Sequence, residues 1–265
     1  MNSNKISKIL TIAGSDSGGG AGIQADLKTF AATGSYGASV ITAVTAQNTI
    51  GVQGIQEINI DLIAQQIDSV CLDIQPSTVK TGMLFSNEII SLVSDKSLEY
   101  SWKYLIVDPV IVSTSGHKLL QDEAVNSYIE KLLPISYLAT PNRFEAEYLS
   151  GIRVNDIDSM AEAAKKIYSH GVKNVIIKGG HLADKKAIDI LYDGNIFLDI
   201  SLDRINSVNT HGTGCSFSSA IASFIAQGND LDQAFRLAKN YVWKGIKESY
   251  SIGQGNGPIN HMWDN

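Results

Sequence analysis

Short, continuously apolar runs rich in β-branched residues alternate along this chain with segments of helical periodicity, and that alternation restricts the fold more than any other feature. The runs fall at residues 8–13, 39–46, 78–80, 104–107, 137–140 and 174–178. Most show no apolar–polar alternation, so both faces of each strand need cover, which is the condition of a parallel sheet flanked by helices. The intervening segments supply that cover. Residues 21–33 set Ile23, Leu27 and Phe30 on one stripe of a period near 3.6 residues. Residues 61–72 open on Asp61 as a cap and carry Leu62, Ile63, Ile67 and Val70 on one face. Residues 157–170 align Met160, Ala163, Ala164 and Ile167 and stop at Gly171.

A strand–helix–strand order closes through right-handed crossovers, which predicts an α/β fold, a three-layer αβα sandwich around a central, mostly parallel sheet. Runs at 188–192 and 196–200 flank Asp193-Gly194-Asn195, a tight-turn sequence that predicts an antiparallel hairpin at the end of that sheet. Beyond it, residues 214–227 and 231–250 read as helices, followed by a tail rich in Gly and Asn. No linker, repeat or change of composition divides the chain, so residues 1–265 are expected to form one domain.

Composition narrows the function classes. A net charge of −6 with no basic block argues against nucleic-acid binding, which needs a cationic face. Two cysteines, Cys71 and Cys215, suffice neither for a disulfide framework nor for a Cys-rich zinc site. The first apolar run is cut short by Gly14 and Asp16, and the run from Tyr104 by Asp108-Pro109. Both fall well below the about 20 residues of a membrane span. The expectation is a soluble, cytoplasmic protein that meets neither nucleic acid nor membrane.

Residues suited to chemistry collect where the strands end. Gly14-Ser15-Asp16-Ser17-Gly18-Gly19-Gly20-Ala21-Gly22 follows the first strand and fits neither a P-loop nor a G-x-G-x-x-G register. Its glycines let a ligand approach the backbone, though a plain flexible turn has the same composition. Asn209-Thr210-His211-Gly212-Thr213-Gly214-Cys215 leads into a long helix, where free N–H groups and the helix dipole favour an anion. The same field is expected to lower the pKa of the Cys215 thiol. Asp108-Pro109-Val110, Thr140-Pro141-Asn142-Arg143-Phe144-Glu145 and Lys178-Gly179-Gly180-His181 bring carboxylates and a cation to strand ends. Asn142 and Glu145 are spaced for one helix face or for a helix cap. Together these groups lie on one rim of the sheet and suit phosphoryl transfer, in which positioning and charge neutralisation dominate.

Seven blocks in order carry a more specific resemblance. They are Gly20-Ala21-Gly22-Ile23-Gln24-Ala25-Asp26-Leu27-Lys28-Thr29, Thr45-Ala46-Gln47-Asn48-Thr49, Lys80-Thr81-Gly82-Met83-Leu84, Asp108-Pro109-Val110, Thr140-Pro141-Asn142, Lys178-Gly179-Gly180-His181 and His211-Gly212-Thr213-Gly214-Cys215. Nearly end to end, the chain resembles the hydroxymethylpyrimidine/phosphomethylpyrimidine kinases of thiamine biosynthesis, of the ribokinase-like superfamily. The resemblance implies ATP and Mg²⁺ as cofactors, an aminopyrimidine alcohol and then its monophosphate as substrates, and a homodimer. It places the pyrimidine near Gly14, hydrogen-bonds it to Gln47, and encloses it with Asp26, Met83 and Val110. It makes the Gly212–Gly214 turn the anion hole, Cys215 the base for the substrate alcohol, and Lys178 the neutraliser of phosphate charge. Asn142, Lys178, Thr210 and Thr213 become ATP contacts, and Asp108 and Glu145 help hold Mg²⁺. Most sugar kinases of the superfamily carry aspartate where this chain has Cys215, whereas cysteine is typical of the vitamin kinases.

Three other readings stand beside this one. A pyridoxal kinase of the same branch would share the rim, with Gln47 and Gly18-Gly19-Gly20 as the distinguishing features. A cysteine hydrolase would use Cys215 as nucleophile and His211 as its base. A non-catalytic binding protein would leave Asp108, Glu145 and Lys178 without a task.

Overall fold

Successive residues of the first strand point into two different cores. In β1 (Lys8–Asp16), Leu10 and Ile12 pack with Val40, Ile63, Val79 and Ile90, while Ile9 packs with Phe30, Ile106, Phe217 and Phe235. This is the consequence of a strand with apolar residues in both registers, and it makes the sheet a middle layer. The computed structural model describes residues 6–111, 124–180 and 186–264. His181 lies outside them.

The sheet has nine strands in the order β3-β2-β1-β4-β5-β6-β7-β8-β9. Its parallel centre is β2 (Tyr36–Gln47), β1, β4 (Thr78–Thr81), β5 (Tyr104–Val107), β6 (Leu138–Ala139) and β7 (Val175–Lys178). Antiparallel strands close both edges. At one, β8 (Lys186–Tyr192) and β9 (Phe197–Asp203) form the expected hairpin. At the other, β3 (Val52–Glu57) folds back on β2, an edge that sequence reasoning did not foresee.

Helices cover both faces. One face carries α2 (Ile60–Asp73), α3 (Asn87–Glu99), the short α4 (Ala124–Ser127), α5 (Arg143–Ser150) and α6 (Ile157–Tyr168). The other carries α1 (Gly22–Ala32), α7 (Thr213–Ala226) and α8 (Leu231–Lys247). Met160, Ala163, Ala164 and Ile167 of α6 are all fully buried, as their spacing predicts. In α2 the cap is Asn59, not Asp61: Asn59 Oδ1 accepts the Asp61 N–H at 2.9 Å. Leu62 points outward, 49% exposed, and the buried face is Ile63, Ile67 and Cys71. No helix among the described residues is long and apolar enough to cross a membrane.

A residue such as Leu10, with no exposed surface, contributes about 1.5–3 kcal/mol through burial alone. This packing fixes the strand ends relative to one another, and the parallel strands β1, β2, β4, β5, β6 and β7 deliver their C-terminal ends to one rim.

Candidate active site

A single carboxylate organises the first turn on that rim. Asp16, at the end of β1 and 3% exposed, accepts the Gly18 N–H on Oδ1 at 2.8 Å. Its Oδ2 accepts the N–H groups of Gly20 at 3.1 Å and Ala21 at 2.8 Å, and lies 3.0 Å from His211 Nε2. Burial pushes the Asp16 carboxyl up, but the His211 contact and the backbone donors outweigh it and hold the group below the usual carboxylate range.

The second turn has no such organiser. Gly212 precedes α7 with φ +76 and no side-chain cap, a conformation that favours glycine. The N–H groups of Gly214 and Cys215 donate to no backbone or side-chain oxygen among the described residues. They lie in the first turn of a 14-residue helix, where the dipole favours negative charge. The two turns interlock. A Cβ on Gly212 would lie 1.8 Å from the Gly20 carbonyl oxygen, and one on Gly20 would lie 2.4 Å from His211 Cδ2.

Charged groups line the rim beside this turn. Asp108, directly after β5, pairs through Oδ1 with Lys178 Nζ at 2.7 Å and accepts Ser218 Oγ on Oδ2 at 3.2 Å. Burial disfavours the Asp108 charge, but the Lys178 and Lys80 ammonium groups hold its carboxyl below the usual range. Burial likewise opposes the Lys178 charge, and Asp108 and Glu145 hold that lysine protonated. Glu145 and Asn142 form a capping box on α5: Asn142 Oδ1 accepts the Glu145 N–H at 3.0 Å and Glu145 Oε2 accepts the Asn142 N–H at 2.7 Å. Burial pushes the Glu145 carboxyl up to about 7, with Lys178 opposing and Asp108 adding to the rise. The helix-cap reading of this pair therefore describes its contacts, and both residues still face the rim.

One cavity of about 1090 Å³ gathers these groups. Gly14, Gln47, Met83, Val110, Asp108, Glu145, Lys178, Asn142, Thr210, Gly212, Thr213, Gly214 and Cys215 all line it. Met83 packs against Gly14 so closely that a Cβ there would meet its Cε at 2.4 Å.

Three expectations need correction. Asp26 does not line the cavity. It has no exposed surface and is bound by Lys80 at 2.9 Å through both oxygens, by Thr11 at 2.6 Å and by Ser219 at 2.7 Å. A charge on the apolar stripe of α1 needs such a partner, and it finds one on β4. Secondly, the Cys215 thiol is not lowered. Burial pushes it up to about 11; the Lys80 ammonium opposes this, and Asp26 and Asp108 add to it. Burial is the largest influence on this thiol, and its position at a helix start does not by itself give a lowered pKa. Thirdly, His211 is no base for Cys215, because its Nε2 faces Asp16 and Gln47.

Sequence reasoning missed two contributors. Asp16 stood in the quoted glycine turn without a role, although an aspartate two residues before a glycine is a turn-forming signal. Asp189 on β8 also lines the cavity; its Oδ1 accepts the Gly179 N–H at 2.9 Å and its Oδ2 binds Lys239 at 2.7 Å. It sits opposite Lys178 in the β7–β8 register and fixes the backbone just beyond it. A carboxylate inside the run Ile188-Asp189-Ile190-Leu191 was the available clue.

Residues 16–260 match the phosphomethylpyrimidine kinase family. A hydroxymethylpyrimidine/phosphomethylpyrimidine kinase from Bacillus subtilis is 47% identical over 258 residues, covering 97% of this chain and 95% of the relative. A thiamine biosynthesis bifunctional protein from Geobacter sulfurreducens is 50% identical over 254 residues. That match covers 96% of this chain, which spans about half, 52%, of the bifunctional protein. Among solved structures, an ADP complex of Bacillus subtilis pyridoxal kinase superposes with a TM-score of 0.89 at 38% identity, covering 97% of each chain.

Proposed function

The chain belongs to the phosphomethylpyrimidine kinase family, and from that premise we propose that it transfers the γ-phosphoryl group of ATP to 4-amino-5-hydroxymethyl-2-methylpyrimidine and then to the monophosphate so formed. The observation that carries this reading is the uncapped start of α7, with free Gly214 and Cys215 N–H groups, in the same cavity as Gln47, Asp108 and Lys178.

In this scheme the aminopyrimidine lies against Gly14, between Met83 and Val110, with Gln47 on its hydrogen-bonding edge. An amide offers a donor and an acceptor side by side, which matches a ring nitrogen beside an exocyclic amine. The Gly212–Cys215 turn receives the transferring phosphoryl group, and the free N–H groups stabilise charge on its oxygens. Lys178, kept protonated by Asp108 and Glu145, neutralises phosphate charge, and Asn142, Thr210 and Thr213 position the nucleotide.

Asp108 and Glu145 fit Mg²⁺, being two hard carboxylate donors that line the same cavity and whose mutual repulsion contributes to the raised Glu145. No group of three His, Cys, Asp or Glu among the described residues could hold a metal alone, so phosphate and water oxygens would complete the shell. When bound, the ion supplies further neutralisation of the transferring phosphoryl group.

Burial pushes the Cys215 thiol up to about 11, which disfavours a resting thiolate base. The task of Cys215 is to orient the substrate alcohol toward the phosphoryl group. A loose transition state needs little proton removal before transfer, so orientation suffices.

The protein is proposed to act as a single kinase domain in the cytoplasm, as a homodimer whose mass light scattering would report. The deciding experiment incubates it with ATP, Mg²⁺ and the pyrimidine alcohol and follows product mass. One and then two added phosphates are expected; no added phosphate overturns the reading. The likeness to pyridoxal kinase supports a second reading, activity on pyridoxal. The ratio of kcat/KM values for the two alcohols separates them.

A further inference from the structure

The inference concerns how Gln47 is aimed, and it rests on the function proposed above. The Gln47 amide stands between two fixed groups: Oε1 is 3.2 Å from Thr45 Oγ1, and Nε2 is 3.3 Å from His211 Nε2. Each contact conflicts with what its partner already does. Thr45 has one hydroxyl hydrogen, and its Oγ1 lies 3.0 Å from the Ser15 carbonyl oxygen, which can only accept. With the hydrogen directed there, Oγ1 is an acceptor facing the acceptor Oε1. His211 Nε2 lies 3.0 Å from Asp16 Oδ2, an ionised carboxylate already gathering backbone N–H groups, so Nε2 must carry a hydrogen. A ring donor then faces the donor NH₂ of Gln47.

A half-turn of the amide removes both conflicts at once. The Gln47 NH₂ then donates to Thr45 Oγ1, whose hydrogen goes to Ser15, and the Gln47 oxygen faces the His211 Nε2–H, sharing with Asp16 Oδ2 the one hydrogen that nitrogen carries. We propose that Asp16 and Ser15, acting through His211 and Thr45, set the Gln47 amide with its oxygen toward His211 and its NH₂ toward Thr45, and that this polarity selects an amino group over a carbonyl on the substrate. His211 directly precedes the Gly212–Cys215 turn that the substrate alcohol must reach. The exocyclic substituent beside the hydroxymethyl group therefore falls on the His211 side and meets the amide oxygen. An amino group there donates to it. A 4-oxo group would set oxygen against oxygen, and its ring N–H would face the Gln47 NH₂. His211 and Thr45 are thus positioning residues for specificity.

The test measures kcat/KM for the 4-amino alcohol and its 4-oxo analogue. Wild type should favour the amino compound. In His211→Ala the amide is free to turn, and the preference should fall about tenfold, the worth of roughly one hydrogen bond. His211→Gln, which can donate from the same place, should restore most of it. Thr45→Val, nearly isosteric, should lower the preference as well, with the KM for ATP held within about twofold in each variant. Equal losses on both substrates, leaving the preference intact, would reduce these residues to packing and overturn the proposal. If wild type phosphorylates neither pyrimidine, the functional reading fails and NMR of the unliganded protein decides this one. Support would be an Nε2–H tautomer of His211 together with Gln47 amide-proton contacts to the Thr45 methyl group; an Nδ1–H tautomer would overturn it.

Discussion

The two glycine turns of the cavity look alike in sequence and are opposite in their hydrogen bonding. In the first, the N–H groups of Gly18, Gly20 and Ala21 all point at the Asp16 carboxylate. In the second, no side chain caps α7, and the N–H groups of Gly214 and Cys215 have no partner among the described residues. A donor already satisfied inside the protein has nothing to offer a ligand, so in the proposed function the first turn contributes shape and the second contributes binding. Glycine content alone does not distinguish a wall from an anion site; the neighbouring carboxylate does.

The strongest way to break this comparison is Gly212→Ala. Its φ and the 1.8 Å approach of a Cβ to the Gly20 oxygen must displace the free donors. Turnover is expected to drop by about 10²–10³, the loss typical of one oxyanion donor, in a steady-state assay. A similar drop in Gly214→Ala, where a Cβ meets only Lys178 Nζ at 3.3 Å, would instead point to general sensitivity of the turn.

Support behind the second turn titrates, which gives the next effect. His261 is 5% exposed and its Nε2 lies 3.0 Å from Ser216 Oγ. Burial, with a smaller push from Lys28, lowers it from 6.5 to about 4. A histidine that is neutral when folded and takes a proton near pH 6.5 when unfolded lends its full stability above that pH. The contribution shrinks as pH falls toward 4, by up to about 3 kcal/mol in total. Urea melts between pH 7 and 4 should show this loss in the wild type and a smaller one in His261→Gln.

Asp16→Ala sharpens the contrast from the other side. It leaves buried N–H groups unpaired, at a cost of about 1–3 kcal/mol. Pyrimidine KM should rise while the KM for ATP stays unchanged. Equal rises would show that the two turns are not separate in function. Cys215→Ala should have the smallest effect, about a tenfold fall in kcat with little change in pyrimidine Kd. An unchanged kcat would remove the thiol from the mechanism. Alkylation by iodoacetamide should be slow at pH 7 and accelerate toward pH 11, as a thiol at about 11 requires.

Most of the fold was legible because the parallel strands are apolar in both registers and leave few alternatives. What escaped had weaker signals. Strand β3 reads Val-Gln-Gly-Ile-Gln-Glu, half-buried at an edge with a glycine inside it, so neither alternation nor β-propensity marks it. Helix α3 buries Ile89, Ile90 and Val93 but follows them with Ser94, Asp95, Lys96 and Ser97, which cuts its apolar stripe short. The rim was legible because strand ends collect polar residues, and the motif blocks supplied the roles. Direction of charge was not. The dipole at Cys215 could be read from its position, but its burial, and the smaller contributions of Asp26 from α1 and of Asp108 after β5, which push the thiol up, could not. Asp26 was misplaced for a related reason: a sequence shows a carboxylate on a helix, not the lysine across the sheet that claims it.

The interlocked glycines also limit redesign. A side chain at Gly212 would meet the Gly20 carbonyl oxygen and one at Gly20 would meet His211, so this contact cannot be thickened, and it cannot be shrunk because glycine has no side chain to remove. In the proposed function, room for a bulkier acceptor would come from trimming Met83 and Val110, which line the cavity, so an engineered change of alcohol size would begin at those two positions.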